Sequence, residues 1–221
     1  MRIDLTEAEL KKCQDFAYNC AKTMQEIEFG QTDTAPRGEA EIGRDHLIGK
    51  MAEVAFAKML KQEFQQEILL DFDCYDRGKW DTQDAELNGW KIDIKATRQG
   101  GRWMLIEWNK LDFRQKEKAL PHLFVMASVG WERESDKPTG IVTLEGSMST
   151  PHITSTGKNV KVLRKGECIP NTNMPLQADN FGIEFKNLKQ DWHTVIPYIL
   201  KNESPNLDSY PNPYTGQPLT V

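Results

Sequence analysis

The dipeptide Asn88-Gly89, set between two short runs of alternating residues, constrains this chain more than any other feature. A two-residue hairpin turn needs backbone angles that Asn and Gly tolerate, and its twist matches that of the flanking strands. The turn predicts that Leu87 faces Trp90, Glu86 faces Lys91, Ala85 faces Ile92 and Asp84 faces Asp93. Side chains alternate across a strand, so Ala85, Leu87, Trp90, Ile92 and Ile94 share an apolar face. Asp84, Glu86, Lys91, Asp93 and Lys95 share the other. Glu86 opposite Lys91 is an ordinary cross-strand ion pair. Asp84 opposite Asp93 is not. Like charges face to face destabilise a sheet, and carboxylates that close either share a proton or hold a cation.

Upstream, Thr6 and Glu9 form a capping box for a helix predicted over 6–28, with Leu10, Cys13, Phe16, Ala17, Cys20 and Met24 at helical spacing. Residues 30–41, rich in Gly, Thr and Pro, read as a loop. A second helix, predicted over 45–63, is apolar nearly all round, as expected of one buried on most sides. One narrow stripe on it carries His46, Lys50, Glu53 and Ala57. Lys50 and Glu53, three apart, also suit a plain intrahelical ion pair. Strands are predicted over 68–74, 103–108, 122–131 and 141–145, the third apolar enough for a sheet centre. Residues 110–118 read as a polar connection, 146–186 show no firm periodicity, and 188–200 read as a helix disturbed by Pro197. One domain is expected over 1–202, followed by an extended tail over 203–221 rich in Pro and Asn.

A net charge of −5 in 221 residues argues against broad non-specific binding to polyanions, though not against a local basic groove. No apolar run approaches the length of a membrane span, and the first residues lack a signal-peptide core. A cytoplasmic setting is the expectation. Cys13, Cys20, Cys74 and Cys168 have no metal-binding spacing and read as reduced thiols. His46, His122, His152 and His193 have no such spacing either.

The order of residues carries a resemblance. A Glu on an apolar helix (GKMAEVAFAKML), an Asp opening a strand (DAELNG) and Asp-x-Lys on the next (IDIKAT) together resemble the PD-(D/E)xK nuclease superfamily, over residues 44–131. The resemblance implies a restriction-endonuclease-like α/β fold, with a mixed central sheet flanked by helices. It implies a Mg²⁺-dependent endonuclease acting on DNA, with Mn²⁺ as substitute metal and RNA as the open alternative substrate. Asp84, Asp93 and the Ile94 carbonyl would bind metal. Glu53 would hold a second ion or orient water, and Lys95 would position the attacking water. The family often has Pro before its first Asp, where this chain has Gln83; Asp81 is the competing candidate, but in the hairpin register it falls on the apolar side. Arg44, Lys50, Arg98 and Arg102 are the candidates for phosphate contact, since guanidinium groups suit phosphate oxygens. Double-strand cutting would call for a homodimer. The alternative is a non-catalytic subunit that keeps the nuclease fold for binding, and a metal-free pair of acids acting as a glycosidase is a third reading.

Overall fold

The computed structural model describes residues 1–24, 38–74, 84–111, 120–155 and 159–210. The expected turn at 76–80, Asp81 and most of the polar connection after Lys110 lie outside the described residues. After a short strand, β1 (Arg2–Asp4), the capping box closes as predicted: Thr6 N–H donates to Glu9 Oε2 at 2.6 Å, and Glu9 N–H to Thr6 Oγ1 at 3.2 Å. Helix α1 (Glu7–Met24) follows. Helix α2 (Glu39–Phe64) begins six residues before the expected start, so part of the predicted loop is helical. Glu39 and Glu41 sit in its first turn, where carboxylates favour the helix dipole, and Ile42 is buried. Its apolar circumference is covered, with Met51, Ala52, Ala55, Phe56, Met59 and Leu60 fully buried.

The strand expected at 68–74 does not form. This segment runs without a ladder partner, and side chains hold it instead: Phe72 meets Phe16 of α1 edge to face at 5.9 Å, and the Lys50 ammonium donates to the Asp71 carbonyl at 2.6 Å. Cys74 is disulfide-bonded to Cys20. The expectation of four reduced thiols is thereby corrected, because the segment lies along α1 and brings Cys74 to the same helix face as Cys13 and Cys20. Cys13 (buried) and Cys168 (exposed) are free.

The hairpin takes the predicted register. Strand β2 (Ala85–Leu87) pairs antiparallel with β3 (Trp90–Arg98), Ala85 opposite Ile92 and Leu87 opposite Trp90. Asn88 and Gly89 have φ of 50° and 75°, as a type I′ turn requires. β3 then leads away into β4 (Trp103–Glu107), which belongs to another sheet. The chain returns as β5 (Leu123–Glu132), parallel to β3, and β6 (Lys137–Ser149) runs antiparallel to β5 and beside β1. The five-stranded order is β1-β6-β5-β3-β2, with β5 at the centre as its composition predicted. β6 is far longer than the expected 141–145. At Gly146 (φ 148°) the neighbouring Leu188–Lys189 backbone passes so close that a Cβ would lie 2.7 Å from that of Leu188.

The stretch without periodicity holds a short helix, α3 (Thr150–Thr154), and two strands, β7 (Lys161–Leu163) and β8 (Asn180–Glu184). These strands join β4 in a second, antiparallel sheet ordered β4-β8-β7. Helix α4 (Trp192–Lys201) contains Pro197 and starts later than the expected 188. The molecule is thus layered. Helices α2 and α4 pack on the Ile92, Ile94, Val125 and Ala127 face of the large sheet. Phe124, Met126 and Met148, on its other face, join Met104, Ile106, Phe181 and Ile183 of the small sheet. Mixed α/β architecture with a mixed central sheet is therefore observed, with a sheet where helices were expected on the second face. No described helix is long and apolar enough to cross a membrane. Within the expected tail, Leu207–Ser209 forms a 3₁₀ turn with Leu207 buried.

Candidate functional site

Alternation along β3 puts Asp93 and Lys95 on the face turned from α2, in register with Phe124 and Met126 of β5. Asp84 stands just before β2, one step beyond the Ala85–Ile92 pair, and its Oδ2 accepts the Ile94 N–H at 2.6 Å. That bond brings the Asp84 carboxylate to the Asp93–Lys95 stretch. Lys95 Nζ lies 2.9 Å from Asp93 Oδ2 and 2.6 Å from Oδ1. Only the Oδ2 contact has hydrogen-bond geometry. Asp93 Oδ1 is therefore a buried carboxylate oxygen near a cation but without a hydrogen bond.

Burial disfavours a charged lysine, yet the Lys95 pKa is raised above its ordinary value, because Asp93 (by charge and hydrogen bond), Asp84 and Glu107 together outweigh desolvation. Glu107, at the end of β4, also faces the Lys110 ammonium at 3.4 Å. Its part in this field depends on the packing of two sheets, so hairpin patterning alone could not reveal it. His122, just before β5, extends the ladder: its N–H donates to the Lys91 carbonyl at 2.8 Å, and its Nδ1 accepts the Lys91 N–H at 2.9 Å. Burial, then the Lys91 charge, lowers the His122 pKa against a smaller opposing effect of Glu86.

Glu53 is placed elsewhere. Its carboxylate takes the Lys50 ammonium at 2.5 Å, with the two side chains only 13% and 6% exposed. Lys50 Nζ sits 4.4 Å from the Phe16 ring centre and 5.2 Å from that of Phe72. Cys13 senses both charges, and burial pushes its thiol up to about 12. The helical stripe thus closes on α1 and the 65–74 segment, as a plain ion pair, while Asp93 and Lys95 occupy the far side of the sheet. Lys50, buried there, presents no charge to an external phosphate. Among the described residues, no three or more His, Cys, Asp or Glu side chains are gathered to hold a metal ion.

The arginines also divide. Arg44 and Arg98 converge on Asp136, while Arg102 is exposed in the β3–β4 connection, and its carbonyl accepts the Phe185 N–H at 2.9 Å. The structure therefore unites Asp84, Asp93 and Lys95 and separates them from Glu53 and Lys50. A magnesium ion is held through one or two carboxylates and completes its octahedron with water and phosphate oxygens. A pair of acids with one buried oxygen lacking a hydrogen bond fits that donor requirement; a fully protein-lined cage does not. No protein-family model matches the chain, and no curated protein or solved structure matches it significantly.

Proposed function

We propose that this chain is a Mg²⁺-dependent phosphodiesterase that cleaves DNA as an endonuclease, on the PD-(D/E)xK pattern and with a restriction-endonuclease-like sheet. One observation carries the reading: Asp84 and Asp93 come together beside Lys95, and Asp93 Oδ1 lacks a hydrogen bond. Asp84 and Asp93 would hold the metal. The bound ion would supply charge stabilisation at the phosphate and a more acidic water. Lys95 orients the carboxylate of Asp93 and carries a positive charge that offsets charge developing on a phosphate. Asp84, anchored by the Ile94 N–H, keeps its carboxylate against β3 as substrate enters. Plasmid and linear DNA incubated with Mg²⁺ test this. Wild type should cut, EDTA should stop it, and Asp93→Ala and Lys95→Ala should each lower the rate by ~10²-fold or more. Equal residual cutting by all three proteins would remove the reading.

A second reading has its own support. Glu53 is engaged by Lys50, which favours a nuclease-like scaffold kept for binding alone. Calorimetric titration with Mg²⁺ or Mn²⁺ separates the two. Heat of binding that vanishes in Asp84→Asn with Asp93→Asn supports the enzyme; no heat in wild type supports the scaffold.

A further inference from the structure

A second cluster of charge lies beyond the end of β3. Arg44, early in α2, and Arg98, the last residue of β3, both reach Asp136 in the connection between β5 and β6. Arg44 Nη2 is 3.2 Å from Asp136 Oδ2, and Arg98 Nη1 is 3.7 Å from Oδ1. The Trp131 indole N–H donates to the same Oδ1 at 2.8 Å, and the Arg98 guanidinium sits 4.8 Å from the centre of a Trp131 ring. Asp136 holds this position with φ of 51°. Two permanent cations thus share one anion, and the side chains are open to solvent, at 32%, 39% and 55% for Arg44, Arg98 and Asp136. A guanidinium has five N–H donors in a planar fork. Among the described residues Arg44 directs one of them to Asp136, and the Arg98 contact is too long for a hydrogen bond.

We propose that Arg44 and Arg98, braced by Asp136 and Trp131, form a docking site for the phosphodiester backbone of a nucleic-acid strand, apart from the acid pair. Nucleic acid as the ligand class rests on the nuclease reading above; the fit to phosphate rests on the fork itself, which pairs with two oxygens at once. The cation–π contact with Trp131 restrains the Arg98 side chain, so less freedom is lost on binding. Asp93 and Arg98 are an odd number of residues apart on β3, so their side chains leave opposite faces of the sheet, and the arginines form a site separate from the acid pair. Asp136 has two effects in this arrangement. It holds the guanidinium groups close together, and its charge competes with the phosphate.

That competition gives the test a sign. Fluorescence anisotropy with labelled DNA of about 20 nucleotides, in EDTA and over a salt series, reads binding without cleavage. Arg44→Gln and Arg98→Gln should each weaken binding by about five-fold and reduce the salt slope by about one. Asp136→Asn, which keeps an oxygen for Trp131, should tighten binding by a few-fold. A cluster that only fastens the β5–β6 connection to α2 gives the opposite pattern: all three variants melt at lower temperature with DNA affinity unchanged, and the proposal is overturned. It is likewise overturned if wild type fails to bind DNA, or if polyglutamate displaces DNA as well as unlabelled DNA does. Should Arg98→Gln not fold, Arg44→Gln and Asp136→Asn still decide. Binding that responds as described without any Mg²⁺-dependent cutting leaves this site standing and removes only the enzymatic reading.

Discussion

Single side chains here separate into those that hold the fold and those available for chemistry. Lys50 and Glu53 belong to the first group. Breaking a buried ion pair leaves a charge without its partner and typically costs ~3–5 kcal/mol. Glu53→Ala should therefore lower the urea midpoint strongly, by about 3 kcal/mol of stability, while leaving the Mg²⁺ affinity proposed for Asp84 and Asp93 unchanged. A loss of metal affinity with stability intact would return Glu53 to the site. Cysteine reactivity is as sharply divided. Cys168 is exposed and Cys13 is buried with its thiol raised to about 12. Intact mass after iodoacetamide should show one alkylated thiol in the native protein, two after denaturation and four after reduction. The acid pair was legible because a two-residue turn fixes its partners without tertiary information. The disulfide was not, since spacing along the chain says nothing about which helix face the 68–74 segment will lie against.

At the scale of elements, the parallel step between β3 and β5 carries a titratable group. His122 accepts the Lys91 N–H through Nδ1, which requires the neutral ring. Its folded pKa is depressed, chiefly by burial and then by Lys91. As pH falls through about 6.5 the unfolded chain takes up the proton first, so stability falls with it until the folded ring also protonates. Urea titrations between about pH 7.5 and 5 should show this loss, and His122→Asn, whose Oδ1 can accept the same N–H, should flatten it. The hairpin turn does a further job. Asn88 Nδ2 donates to the Ile199 carbonyl at 2.9 Å, near the end of α4, and Trp90 Nε1 to the Asn202 carbonyl at 3.0 Å. Asn88→Ala should cost about 1–2 kcal/mol by freeing a helix-end carbonyl and straining a residue at positive φ, measurable as a fall in Tm. Strong local patterns gave β2, β3, β5 and both long helices. Of the small sheet only β4 was anticipated; β7 and β8 escaped notice because they are three and five residues long and lie in the stretch without periodicity.

For the whole molecule, the bridge between Cys20 and Cys74 closes a loop across 54 positions and ties the segment before the hairpin to α1. Constraining a loop of that size in the unfolded chain is worth ~2–4 kcal/mol, so Cys20→Ser with Cys74→Ser should lower Tm by several degrees. An unchanged Tm would mean that packing of Phe72 on Phe16 alone holds the segment. Topology was the least legible level: β3 and β4 are neighbours in sequence and enter different sheets, a choice set by which apolar faces remain to be covered. The large sheet consequently works as a partition. Substitutions in either apolar layer, around Phe56 and Trp192 on one face or around Phe124 and Phe181 on the other, should register as changes in how long the protein persists, whereas those at the charged positions Asp84, Asp93 and Lys95 should alter what it does with little effect on its lifetime. A random-mutagenesis screen scored for abundance and for activity separately would then sort its hits into the two apolar layers and the charged positions at their margin.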